Sequence, residues 1–98
     1  MTELYVTPDA WTEVFLAVDW YNSRAPGLGA ELMQEVDFAL DDIRENPLQF
    51  PIIERTTRRA RTKRFPFGVF FSMEHGMAVV FTIENLQRSP SRWKRRKK

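Results

Sequence analysis

Residues 55–71 read RTTRRARTKRFPFGVFF. Six of the first ten are cations (Arg55, Arg58, Arg59, Arg61, Lys63 and Arg64), and the residues that follow are almost wholly apolar. Solubility alone does not ask for cations here, since acidic residues serve as well. The periodicity is the stronger signal. Phe65, Phe67, Val69 and Phe71 alternate with Pro66, Gly68, Phe70 and Ser72, a period of two that predicts a strand rich in β-formers. Read as a strand, residues 59–64 put Arg59, Arg61 and Lys63 on one face, about 6.6 Å apart, with Ala60 and Thr62 on the other. Such a row suits bidentate contact with phosphates. An edge strand protected from aggregation by charge explains the same row equally well. The preference for Arg over Lys leans toward contact.

Working outward, His75-Gly76 fits a two-residue hairpin turn, with Gly supplying a positive φ. Residues 77–83 return as a strand that is apolar on both faces, hence central. Upstream, residues 48–53 form an apolar connector containing Pro51 and suggest no regular element. Before it, Leu32, Met33, Val36, Ala39, Leu40 and Ile43 recur at helical spacing, and the pattern stops at Asn46-Pro47. An earlier helix starts at Thr7-Pro8-Asp9, with Thr as N-cap and Pro in the first turn. Its periodic residues are Trp11, Val14, Phe15, Val18 and Tyr21. The loop Arg24-Ala25-Pro26-Gly27-Leu28-Gly29 joins the two helices as an antiparallel hairpin. Residues 3–6 suit a short strand. The expected fold class is α+β: an N-terminal strand and a helical hairpin packed on a small antiparallel β-sheet.

The 98 residues suit a single domain, 1–98, with a basic C-terminal tail at about 94–98. There is no cysteine, which excludes a disulfide framework, a cysteine zinc site and a thiol nucleophile. The N-terminal stretch MTELYVTPDAW shows neither a basic nor an apolar leader region, and no apolar run is long enough to span a bilayer. A cytoplasmic protein with no membrane partner is expected. The net charge of +2 conceals an imbalance. Residues 1–50 carry ten acids and two bases, whereas residues 51–98 carry three acids and thirteen bases. The halves can partly neutralise each other, but residues 93–98, WKRRKK, have no acid near them in sequence. Such asymmetry points to nucleic acid or an acidic protein as partner.

Three stretches, in order, resemble ParE/RelE-type toxins of bacterial toxin–antitoxin (plasmid-stabilisation) modules. They are Trp20-Tyr21 with Pro26-Gly27-Leu28-Gly29 leading into a helix, Arg64-Phe65-Pro66-Phe67-Gly68-Val69-Phe70-Phe71, and Arg88-Ser89-Pro90-Ser91-Arg92-Trp93-Lys94-Arg95. The resemblance covers nearly the whole chain. It implies a compact α+β toxin, a cognate acidic antitoxin, and DNA gyrase or the ribosome and its mRNA as target. Where the family commonly has His-x-x-Arg-x-Pro after the last strand, this chain has Asn85, Arg88 and Pro90, with Ser89 where an acid is common.

Cutting mRNA without a metal requires a group that takes the 2′-hydroxyl proton and cations that hold the phosphate. Cations are plentiful, but proton carriers are scarce. His75 is the only histidine and falls in a turn, while Tyr5 and Tyr21 are far in sequence from the basic cluster. The residues therefore favour a ParE-like toxin that blocks its target by binding. A RelE-like, metal-independent endoribonuclease remains open, as does a non-toxic or decayed nucleic-acid-binding module. Catalytic residues are not assigned; Arg64 and Arg88 are the candidates, at one sheet end. Candidates for contact with target or nucleic acid are Arg59, Arg61, Lys63, Arg64, Arg88, Arg92, Trp93 and Arg95. Leu48, Phe50, Ile52 and Ile53 are the candidates for antitoxin contact. Trp93 suits base stacking or simple packing. Glu31 and Glu35 share a helix face that reads as solvated. No metal site or cofactor is expected, and a homo-oligomer is compatible with the sequence.

Overall fold

The computed structural model describes residues 1–87. Arg88, Ser89, Pro90, Arg92, Trp93, Arg95 and the basic tail lie outside the described residues. The elements are β1 (Leu4–Val6), α1 (Pro8–Arg24), α2 (Leu28–Glu45), a short 3₁₀ turn (Pro47–Gln49), β2 (Ile52–Glu54), β3 (Thr57–Arg61), β4 (Phe67–Glu74) and β5 (Met77–Asn85). This is the expected α+β arrangement of a helical hairpin on a sheet. The sheet has five strands in the order β1-β5-β4-β3-β2.

Both helices form for local reasons. Thr7 caps α1, its hydroxyl accepting from the Ala10 N–H at 3.2 Å, and Pro8 opens the first turn. Gly27, at φ 87, takes the left-handed backbone that starts α2. Gly29 permits a closer approach: a Cβ there would lie 2.5 Å from the Val18 carbonyl oxygen. The Asn22 side chain ties the same corner by accepting the Gly29 N–H at 2.8 Å. Leu32, Val36, Ala39, Leu40 and Ile43 of α2 are buried, as their spacing predicts. On α1, Val14 is buried and Trp11, Val18 and Tyr21 pack against the core. Phe15 departs from the expected pattern: it is 55% exposed and stacks on Trp11.

The sheet corrects the reading in three places. It is mixed rather than wholly antiparallel, because β1 pairs in parallel with β5, Leu4 opposite Ala78 and Val6 opposite Val80. Residues 48–53 are not only a connector, since β2 pairs with β3 and forms the sheet edge. The strand expected over 59–64 lies instead at Thr57–Arg61, so Lys63 falls in the turn beyond it. The central position of β5 agrees with its two apolar faces, and it lies between β1 and β4. A bulge at Phe81 interrupts β4–β5: Phe70 pairs with Thr82, but Phe71 already pairs with Val80. The helices cover the face bearing Ala60, Val69, Phe71, Val80 and Ile83. Arg59, Phe70, Ser72, Thr82 and Glu84 alternate onto the opposite face.

Candidate functional site

The six cations of residues 55–64 do not form one row. Arg55 sits in the β2–β3 turn at φ 53. Arg58 is structural: its Nη1 donates to the Phe50 carbonyl at 2.6 Å and the Leu48 carbonyl at 3.4 Å, fastening the connector to β3. Arg59 lies on the face opposite the helices. Its Cδ passes over Gly68, where a Cβ would come within 3.2 Å of it. Gly68 therefore leaves the backbone gap through which this side chain crosses. The Arg59 Nε is buried with no hydrogen-bond partner among the described residues, and the Thr57 hydroxyl is in the same position. Buried donors of this kind normally have partners.

Glu84 is a residue the sequence reading missed. It is only 3% exposed, pairs with Gly68, and accepts from the Thr82 hydroxyl at 3.0 Å. Cross-strand register aligns Arg61, Gly68 and Glu84, and beside them Arg59, Phe70 and Thr82. A buried carboxylate thus shares its sheet face with Arg59. The available signal was a single acid at the end of an otherwise apolar strand. The strand register, which the sequence does not state, is what sets it opposite Gly68.

Arg61, Lys63 and Arg64 lie at one end of the sheet, around the turn between β3 and β4. Thr62 closes that turn, donating from its N–H to the Phe67 carbonyl at 3.0 Å and from its hydroxyl to the Phe65 carbonyl at 2.5 Å. Glu35 Oε1 of α2 accepts the Lys63 N–H at 2.8 Å and the Arg64 N–H at 2.9 Å. Glu31 forms an ion pair with Arg64, whose guanidinium also lies over the Phe65 ring. Glu31 and Glu35 are therefore anchors for the basic turn rather than a merely solvated face. A groove of about 470 Å³ runs between α2 and this turn, lined by Gln34, Phe38, Arg61, Lys63 and the two acids.

The histidine and the two tyrosines are dispersed. His75 occupies the β4–β5 turn at φ 54, with Gly76 at φ 81, a conformational role as expected. Gly68 lies beside Arg61, and seven residues of strand separate it from His75, about 23 Å. Tyr21 packs edge-on against Phe65 at 5.0 Å, on the helical side. Tyr5 is half exposed and alternates onto the face of Arg59, but three strand spacings away, about 14 Å. Asn85 accepts the Gln87 N–H at 2.8 Å and lines a cavity of about 420 Å³ with Leu16, Trp20, Tyr21 and Phe67. Among the described residues, no three His, Asp or Glu side chains are grouped to hold a metal ion, and no helix is long and apolar enough to cross a membrane.

Of the four residues expected at the antitoxin, Ile52 and Ile53 lie in the edge strand β2, Leu48 in the 3₁₀ turn before it, and Phe50 between the two. Leu48 is 64% and Ile52 54% exposed, whereas Phe50 is half-buried edge-on against Phe71 and Ile53 is half-buried. Among the described residues, no further strand pairs with the outer edge of β2.

No protein-family model matches this chain, and no curated protein matches it. Solved structures do. A chain of the chromosomal ParDE TA system from P. aeruginosa superposes with a TM-score of 0.79 at 18% identity, over 89% of this chain and 98% of that one. A chain of the toxin–antitoxin complex RelBE2 from Mycobacterium tuberculosis superposes with a TM-score of 0.57 at 17% identity, over 86% of this chain and 96% of that one. The helical hairpin packed on a mixed five-stranded sheet is thus a fold shared with chains of these two toxin–antitoxin complexes.

Proposed function

We propose that this chain is the toxin of a type II toxin–antitoxin module, held inactive by a cognate acidic antitoxin and acting in the ParE manner, by binding its target. The observation that carries this reading is the near end-to-end likeness to the ParDE chain, at a TM-score of 0.79 against 0.57 for RelBE2. The chemistry agrees. Arg59, Arg61 and Lys63 supply positive charge, His75 lies in the β4–β5 turn at the other end of β4, and the Tyr21 ring is packed edge-on against Phe65 on the helical side. A binding toxin needs no proton carrier. DNA gyrase is the proposed target, by resemblance. Arg88, Arg92, Trp93 and Arg95 extend the proposed contact set, and the β2 edge with Leu48, Phe50, Ile52 and Ile53 is the proposed antitoxin contact. An extended acidic segment would add there as a further strand.

Induced expression in a bacterium tests the proposal, with DNA supercoiling and translation assayed separately. The expected result is growth arrest with supercoiling inhibited and translation initially intact. Ribosome-dependent mRNA cleavage would instead support the RelE-like reading, for which the RelBE2 likeness is the motive. A harmless chain would favour the binding module without toxicity.

A further inference from the structure

The groove between α2 and the β3–β4 turn is separate from the β2 edge and has its own chemistry. Its acidic wall is already engaged. Glu35 accepts two backbone N–H groups through one oxygen, and Glu31 pairs with Arg64. Its basic wall is not, since Arg61 and Lys63 are exposed and neither forms an ion pair among the described residues. Phe38 lies on the same groove and is 57% exposed, a large apolar surface left facing water. The backbone of the turn that presents Lys63 is fixed by the Glu35 contacts, so only the side chain has to be ordered when a ligand arrives. Two spare cations beside one exposed aromatic ring form a mixed surface, complementary to acid flanking an apolar side chain.

We infer that this groove docks a short acidic segment of the partner protein, with carboxylates on Arg61 and Lys63 and one apolar side chain seated on Phe38. This rests on the reading that the partner is an acidic antitoxin. It adds a second anchoring point beside the one proposed at the β2 edge.

The test is a titration of the isotopically labelled full chain, followed by backbone amide shifts. The probe is a short synthetic peptide with acidic residues around one leucine. The expected result is saturable change at Gln34, Phe38, Arg61 and Lys63. Arg61→Gln with Lys63→Gln should weaken binding about tenfold, as should Phe38→Ser. These side chains are exposed, so the variants should fold, which their unperturbed spectra would verify. Replacing the peptide's leucine by serine should weaken binding similarly. The inference is overturned if the shifts map to the β2 edge. It is also overturned if Phe38→Ser has no effect and an oligothymidylate of matched charge binds equally well, or if the same amides shift on self-association without peptide. Growth arrest is scored separately: a toxic chain whose groove ignores the peptide overturns the groove alone. Peptide binding by a harmless chain overturns the antitoxin as its occupant.

Discussion

The β4–β5 turn and the β3–β4 turn join neighbouring strands of one sheet, but different forces hold them. His75 and Gly76 make the first from their own backbone, at φ 54 and φ 81, with no distant partner required. The second depends on Glu35, whose carboxylate reaches Lys63 and Arg64 from 28 and 29 residues away in sequence. The self-contained turn carries the histidine and takes no part in the cationic end. The clamped turn carries Lys63 and Arg64. A cation-rich loop left to itself repels its own charges, and a carboxylate clamp from α2 offsets that repulsion while fixing the backbone that carries the cations.

Four substitutions separate these two kinds of turn, in order of expected effect. Gly29→Ala should act most strongly, because its Cβ would meet the Val18 carbonyl oxygen at 2.5 Å and force α1 from α2. A loss of about 3 kcal/mol is expected in urea unfolding. Because α2 carries Glu35, amide exchange at Lys63 and Arg64 should accelerate more than exchange beside Gly76. Equal acceleration at both turns would show that the clamp is not what distinguishes them.

Glu35→Ala removes the acceptor of two N–H groups. Since both are exposed to solvent, a cost of about 1–2 kcal/mol is expected, with faster exchange confined to the β3–β4 turn. An unchanged exchange rate would mean the turn is held by Thr62 alone. Gly76→Ala meets no neighbouring atom, so its cost is conformational, about 1 kcal/mol for a left-handed alanine. Thermal unfolding should register that loss while the shifts of Lys63 and Arg64 stay fixed. Arg64→Ala removes an ion pair whose side chains are 65% and 49% exposed, so stability should move by less than about 1 kcal/mol. A larger fall would assign Arg64 a structural weight that its exposure argues against. Any loss of target or antitoxin binding in that variant is then a contact effect.

The site was only partly legible. That the basic cluster lies against a strand is plain in the sequence, and Ala60 and Thr62 are buried as their alternation implies. The division of labour among the cations was not legible. Arg58 pins Phe50, Arg64 pairs with Glu31, and Arg59 crosses Gly68, because each depends on what the fold brings within reach of a flexible side chain. Lys63 misses the face of Arg59 because Thr62 turns the chain one residue beyond Arg61. Glu84 escaped notice for the same reason. Only the pairing of β4 with β5 sets it opposite Gly68.

What the sequence determined by itself is what short-range forces decide. Thr7 and Pro8 start a helix, apolar spacing turns one face of α2 inward, and His75-Gly76 reverses the chain between β4 and β5. Each follows from dihedral preference or side-chain period within a few residues. Only the tertiary structure decided that β1 pairs in parallel with β5, that β2 becomes an edge, and that α2 clamps the basic turn. The β1–β5 pairing and the clamp join residues tens of positions apart, and β2 is an edge because, among the described residues, β3 is its only neighbour in the sheet. Their partners are chosen by which surfaces the core brings together, and no local pattern in the chain encodes that choice.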